Sequence, residues 1–207
     1  MKRYLNREDA GRKLAEAIRE AVQIDVQNTI ILGLARGGVV VAKASAEALN
    51  LPIDVLVIKK LSGPYGPEFG IGAVGKNVAV FNPNYHSRAL KKQVVQKKKE
   101  IRAKIQFYHS QNPPRIPKGK TIIIVDDGLA TGNTMEAAIE ETRIYRPKKI
   151  IVAVPVAPKD TLRRISAQVD QIVCPFVPEA FWAVGNFYTD FSQTSDQEVK
   201  EIISKVP

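Results

Sequence analysis

Thr121-Ile122-Ile123-Ile124-Val125-Asp126-Asp127-Gly128-Leu129-Ala130-Thr131-Gly132-Asn133-Thr134 joins a β-branched run, two acids and a short glycine-bearing loop. Ile122 to Val125 is too short for a helix and carries no polar alternation, which predicts a central parallel strand covered on both faces. Met135 to Tyr145 returns to helical composition, so the acids and the loop lie between the strand's carboxyl end and a helix. Ligands of open α/β sheets bind at that place. Backbone N–H groups, the hydroxyls of Thr131 and Thr134 and a positive helix end suit a phosphate there. Asp126 and Asp127 would repel the phosphate itself, so they are better matched to neutral hydroxyls or a cation. The residues ask for a ligand that combines a phosphate, sugar hydroxyls and a metal. A nucleoside-triphosphate loop does not fit, because three residues rather than four separate Gly128 from Gly132, and Asn133 stands where the lysine should be.

The run Val125 to Thr134 resembles the motif of the type I phosphoribosyltransferases, which bind 5-phosphoribosyl-1-pyrophosphate. The likeness extends in order along the chain and is greatest to stand-alone members of unassigned acceptor. It implies an α/β fold, a doubly wound, mostly parallel sheet flanked by helices, with a small C-terminal hood. By this resemblance Asp126 and Asp127 hold the ribose hydroxyls, and Gly128, Leu129, Ala130, Thr131, Gly132, Asn133 and Thr134 wrap the 5-phosphate. Mg2+ is the implied cofactor, with Asp126 its candidate protein ligand. The 6-oxopurine enzymes carry an aspartate just before Thr-Gly. Ala130 stands there instead, which argues against that acceptor class and leaves the acceptor open.

Upstream, Asn6 to Val22 places Ala10, Leu14, Ala17, Ile18 and Ala21 on one helical face. Thr29 to Leu34 reads as a strand ending at Ala35-Arg36-Gly37-Gly38, with a helix over Val39 to Leu49. An arginine before two glycines pairs bare backbone with a guanidinium fork. On its own it could be a turn with a surface arginine; the resemblance assigns Ala35, Arg36, Gly37 and Gly38 to pyrophosphate. Ile53 to Lys60 is expected as a second strand, Phe69 to Val74 and Val78 to Phe81 as further ones. Between them, residues 61–68 are rich in Gly and Pro and predict a flexible lid, with Lys59 and Lys60 at its base. Those lysines are read as neutralising the pyrophosphate, against the plainer reading of solvated strand ends.

The chain has 207 residues and a formal net charge of +10, enough length for one domain over 1–207. Residues 85–120 hold eleven basic side chains and one acid, Glu100, so the rest of the chain is neutral on balance. A long helix over Ser87 to Tyr108 is predicted, with Leu90, Val94, Ile101, Ile105 and Tyr108 on its buried stripe. Pro113, Pro114 and Pro117 then stiffen the connection into the motif strand. The basic face is read as solvated. Nucleic acid is not an expected partner, because aromatic residues for base stacking are missing from that face. The rival reading is a donor-binding regulator of RNA or DNA acting through the helix. His86 and His109 lie in this segment and are expected at the surface.

After the motif, Lys148 to Val156, Lys159 to Ala167 and Val169 to Cys174 read as strand, helix and strand. Cys174, the single cysteine, is expected as a buried inert thiol. Residues 175–190 gather five aromatics, and Phe181, Trp182, Phe187 and Tyr188 are candidates to stack on a planar nitrogen acceptor. Ser195 and Glu198 predict a capping box on a final helix. There is no apolar run of membrane-spanning length and no apolar stretch after Met1-Lys2-Arg3, which predicts a cytoplasmic protein without membrane association. A homo-oligomer is compatible with these features. The implied reaction passes through a cationic sugar, so catalysis rests on positioning and charge rather than a covalent intermediate.

Overall fold

The computed structural model describes residues 3–63, 66–81, 88–110, 116 and 118–205, with the backbone alone at 62, 63, 66–70, 88 and 89. Five parallel strands, β1 (Thr29–Leu34), β2 (Ile53–Leu56), β6 (Thr121–Val125), β7 (Lys149–Ala153) and β8 (Gln171–Val173), form the main sheet in the order β2-β1-β6-β7-β8. The β-branched run of β6 explains the layering. Ile122 and Ile124 pack with Met135, Ala138 and Ile139 of helix α4 (Asn133–Arg143), while Ile123 and Val125 pack with Leu14 and Ile18 of α1 (Arg7–Ala21) and Val41 and Ala42 of α2 (Gly37–Leu49). Side chains alternate between faces, so a strand apolar at every position requires helices on both sides. Helix α5 (Lys159–Ser166) joins the α4 face through Ile165.

A second, antiparallel sheet holds β3 (Lys59–Gly63), β4 (Gly66–Val74) and β5 (Ala79–Phe81). The segment expected as one strand from Ile53 to Lys60 thus divides between two sheets. Its apolar run carries no turn residue to mark the break. The expected lid at 61–68 is largely the two arms of the β3–β4 hairpin, with Ser62 opposite Gly70; residues 64 and 65 lie outside the described ones. Leu61, Ile71 and Val74 of this sheet pack with Leu90, Ile101 and Tyr108 of α3 (Arg88–Tyr108) and with Val199 and Ile203 of α6 (Asp196–Ser204). The buried stripe of α3 is therefore the one its periodicity predicts. The capping box of α6 is present, with Glu198 N–H donating to Ser195 Oγ at 3.1 Å and Ser195 N–H to Glu198 Oε2 at 2.6 Å. Pro113, Pro114, Pro117 and His86 lie outside the described residues.

His109 is not at the surface. Its Nε2 lies 2.7 Å from Asp54 Oδ1 and its Nδ1 3.0 Å from the Ile105 carbonyl oxygen. The ring plugs the end of α3 onto β2, because an imidazole one turn beyond Ile105 meets the one carboxylate that β2 buries. On the other side of the small sheet, Glu141 of α4 is 1 % exposed. It accepts hydrogen bonds from Asn77 N–H, Asn77 Nδ2 and Val78 N–H at 2.8, 2.6 and 3.1 Å, and so ties the β4–β5 turn to the main body.

Candidate active site

β1 and β6 run side by side, Gly33 opposite Val125, and their following helices leave on opposite faces. This is a topological switch point, where the two outgoing loops part and open a crevice. Gly38 stands against the motif strand: a Cβ there would lie 2.8 Å from Asp126 Oδ1 and 2.9 Å from the Val125 carbonyl oxygen. Only a residue without a side chain lets the first turn of α2 approach so closely. Gly37 likewise touches Asp127 Oδ2. The Ala35–Arg36 peptide is cis. Thus the pairs Ala35-Arg36-Gly37-Gly38 and Asp126-Asp127, read separately from sequence, meet in space.

The loop after the acids is braced from outside. Thr161 Oγ1 donates to the Ala130 carbonyl at 2.7 Å, and Arg164, paired with Glu136, donates to the Thr131 carbonyl. With those carbonyls held by α5, the loop passes through Gly132 at φ 76° and enters α4 with no side-chain cap on its first turn. Helix α2 also begins without a side-chain cap. Uncapped first-turn N–H groups and the positive end of the helix dipole attract anions. Both helices open toward the twin acids.

A cavity of about 300 Å3 lies here, lined by Lys60, Asp126, Asp127, the loop from Gly128 to Gly132, Thr134 and Met135, and closed by Arg7, Val184 and Phe191. Burial and mutual repulsion push the Asp126 carboxyl up, and burial pushes Asp127 up against the pull of Arg7. Arg7 Nε donates to Asp127 Oδ2 at 2.8 Å. Its Nη1 donates to the Ser192 carbonyl at 2.6 Å, and its guanidinium carbon stands 3.9 Å from the Phe191 ring centre. Tyr188 Oη donates to the Asp127 carbonyl at 2.6 Å, which anchors the C-terminal segment to the motif.

Nine of the residues expected at the site line this cavity: Lys60, Asp126, Asp127, Gly128, Leu129, Ala130, Thr131, Gly132 and Thr134. Asn133 opens α4 but is not part of the wall. Gly37 and Gly38 back the acids, and none of Ala35 to Gly38 lines the cavity. Lys59 and Lys60 point to opposite faces of β3, as neighbours on a strand must. Lys60 reaches the cavity, and Lys59 pairs with Glu100 of α3, whose carboxyl it holds down at about 2. Of the hood candidates, Phe187 and Tyr188 are buried with Tyr4 and Val156, and Phe181 packs on Phe187 with ring centres 5.4 Å apart. These rings pack on one another and do not line the cavity. Trp182 is 86 % exposed. Val184 and Phe191 present the apolar wall instead. Cys174 is part-buried, its thiol donating to the Phe176 carbonyl and pushed up to about 11 by burial, so an inert thiol stands.

Arg7 was not singled out by sequence. One signal existed: a cation in the first turn of a helix opposes the dipole, and it sits beside Glu8 and Asp9, which favour that end. Among the described residues no group of three or more His, Cys, Asp or Glu could cage a metal. The hard oxygens of the acid pair do suit Mg2+, which is commonly held by one or two carboxylates together with substrate oxygens.

Paired acids, two helix ends without side-chain caps and flanking cations meet at the switch point of an α/β domain. The phosphoribosyl transferase domain family matches residues 1–192, and the chain belongs to that family of enzymes. Curated proteins from Mycobacterium tuberculosis strains CDC 1551 and H37Rv, which bear the provisional name phosphoribosyl transferase, are 38 % identical over 213 residues. The match covers 99 % of this chain and 47 % of theirs, so the chain spans about half the length of the curated relatives it matches. The TT1426 protein of Thermus thermophilus is similar at 35 % identity and TM-score 0.82, over 97 % of each chain. The AQ2163 protein of Aquifex aeolicus, at 18 % identity and TM-score 0.53 over 86 % of this chain and 76 % of its own, shares the fold. Among the described residues no helix is long and apolar enough to cross a membrane.

Proposed function

We propose that the chain transfers the 5-phosphoribosyl group of 5-phosphoribosyl-1-pyrophosphate to a planar nitrogen acceptor, releasing pyrophosphate. The observation that carries this reading is one half-buried acid pair with the uncapped start of α2 against it and the uncapped start of α4 on the same cavity. The loop from Gly128 to Thr134 holds the 5-phosphate through its N–H groups and threonine hydroxyls. Asp126 and Asp127 accept the ribose hydroxyls, and the loop from Ala35 to Gly38 holds the leaving pyrophosphate. Asp126 would hold Mg2+, which would supply charge neutralisation of the leaving group. Lys60 adds a cation from the hairpin side and serves the same developing charge. The β3–β4 hairpin is the element placed to exclude water over the reacting carbon. Phe191 and Val184 wall the acceptor side. A nucleobase is the acceptor class these apolar walls suit, in nucleotide or nucleoside metabolism of the cytoplasm, and Ala130 disfavours a 6-oxopurine.

Titration calorimetry with the donor and Mg2+, followed by a panel of bases assayed for pyrophosphate release, tests the proposal. Wild type should bind the donor and one base should trigger release. Asp126→Asn with Asp127→Asn should lose donor binding while unfolding at the same denaturant concentration. Equal donor affinity in that double variant would refute the assigned site.

A further inference from the structure

Arg7 stands where the two halves of the site meet. The cavity holds the ribose and 5-phosphate side, while Ala35 to Gly38 lie behind the acids, and the Arg7 guanidinium occupies the border between them. A Cβ on Gly37 would lie 2.6 Å from its Nε and 3.0 Å from its Nη2, so the guanidinium rests directly on the backbone of the loop assigned to pyrophosphate. The same group faces the cavity. Protein acceptors take Nε and one Nη1 hydrogen, through Asp127 Oδ2 and the Ser192 carbonyl. An arginine has five N–H donors in a planar fork. The two protein bonds and the Phe191 ring fix the plane of that fork, leaving the Nη2 edge turned along Gly37.

Charge points the same way. A diphosphate placed on the loop at Gly37 and Gly38 would approach Asp127, which touches Gly37. Only a cation between the two makes that approach favourable, and Arg7 is the one already paired with Asp127. Arginine is also the side chain whose fork suits phosphate oxygens while another edge is engaged elsewhere.

We propose that Arg7 binds the diphosphate arm of the donor through its Nη2 edge while its Nε edge neutralises Asp127. The inference rests on the donor-binding reading above. It adds a ligand contact from the first helix, 120 residues from the motif acid.

Calorimetry of the full chain with Mg2+ and two probes tests it: the complete donor, and ribose 5-phosphate, which lacks the diphosphate. In Arg7→Gln the donor should bind about 30-fold more weakly, and ribose 5-phosphate within about threefold of wild type. Arg7→Lys, which keeps the charge without the fork, should recover part of the loss and guards against a misfolded Gln variant. Emission of Trp182, the only tryptophan, reports whether the C-terminal segment stays in place. Equal losses for both probes would mean that Arg7 supports the fold or neutralises Asp127 only, and would overturn the proposal while leaving the donor reading intact. Unchanged donor affinity would overturn it as well. A wild type that binds neither probe would defeat the donor reading itself, and this inference with it.

Discussion

Replacing His109 with alanine removes one partner of a pair whose side chains are 5 % and 4 % exposed. Both ring nitrogens face acceptors, Asp54 Oδ1 and the Ile105 carbonyl, and only the imidazolium can donate to both. Burial alone would push the ring toward neutrality. The hydrogen bond and charge of Asp54, with the Ile105 carbonyl, outweigh it and hold His109 above its ordinary 6.5. Leaving a buried charge without its partner costs about 3–5 kcal/mol. The low end, about 3 kcal/mol, is expected at pH 6, because Asp54 Oδ1 keeps the Val55 N–H at 2.6 Å. The folded-state value is raised, so the stabilisation is fully present below the unfolded value and is lost as pH rises through the folded one. The stability gap between wild type and His109→Ala should therefore narrow as pH rises from 6 to 9.5. Urea unfolding of both proteins at fixed ionic strength across that range measures it. A gap that stays constant, or widens with pH, would show that the ring is neutral in the native state and the pairing argument wrong.

Other perturbations separate the roles of neighbouring groups. Lys60→Ala should weaken donor binding about tenfold, roughly 1.4 kcal/mol, while Lys59→Ala, which faces Glu100, should change it less than twofold by calorimetry. Gly38→Ala brings a methyl to 2.9 Å from the Val125 carbonyl. Overpacking of about 1–3 kcal/mol, less about 1 kcal/mol of helix propensity, predicts a loss of about 0–2 kcal/mol in urea and weaker donor binding; a stabilised variant would contradict it. Glu141→Ala leaves the Asn77 and Val78 N–H groups without their acceptor, so about 2–3 kcal/mol of stability should go while donor affinity holds.

What could be read in the chain was whatever its chemistry kept local. The twin acids, the loop to Thr134 and the switch-point strand lie within fourteen consecutive residues, and their spacing alone fixes which groups share a turn. The stripe of α3 and the capping box at Ser195 are legible for the same reason, since helical periodicity and a three-residue reach are sequence properties. The division between β2 and β3 was not, because Val57 and Ile58 are apolar and buried whichever sheet the backbone joins. The aromatic segment was visible in the sequence, but which of its rings pack together was not. An aromatic cluster announces burial more strongly than recognition, and Phe187 and Tyr188 are spent on packing with Tyr4.

The groups missed by sequence are those whose partners are far away in the chain. His109 finds Asp54 at a separation of 55 residues and Arg7 finds Asp127 at 120; the histidine carries no local mark of its partner, and the arginine only its unfavourable place in the first turn of α1. Both cases share a cause. A carboxylate withdrawn from water must be neutralised, and the fold supplies the cation from whichever helix terminus the topology brings near: the end of α3 for buried Asp54, the start of α1 for half-buried Asp127. A carboxylate expected inside a parallel sheet therefore implies an unseen cation at a helix end. In this chain the basic residue that opposes its own helix dipole is the one that fills the role.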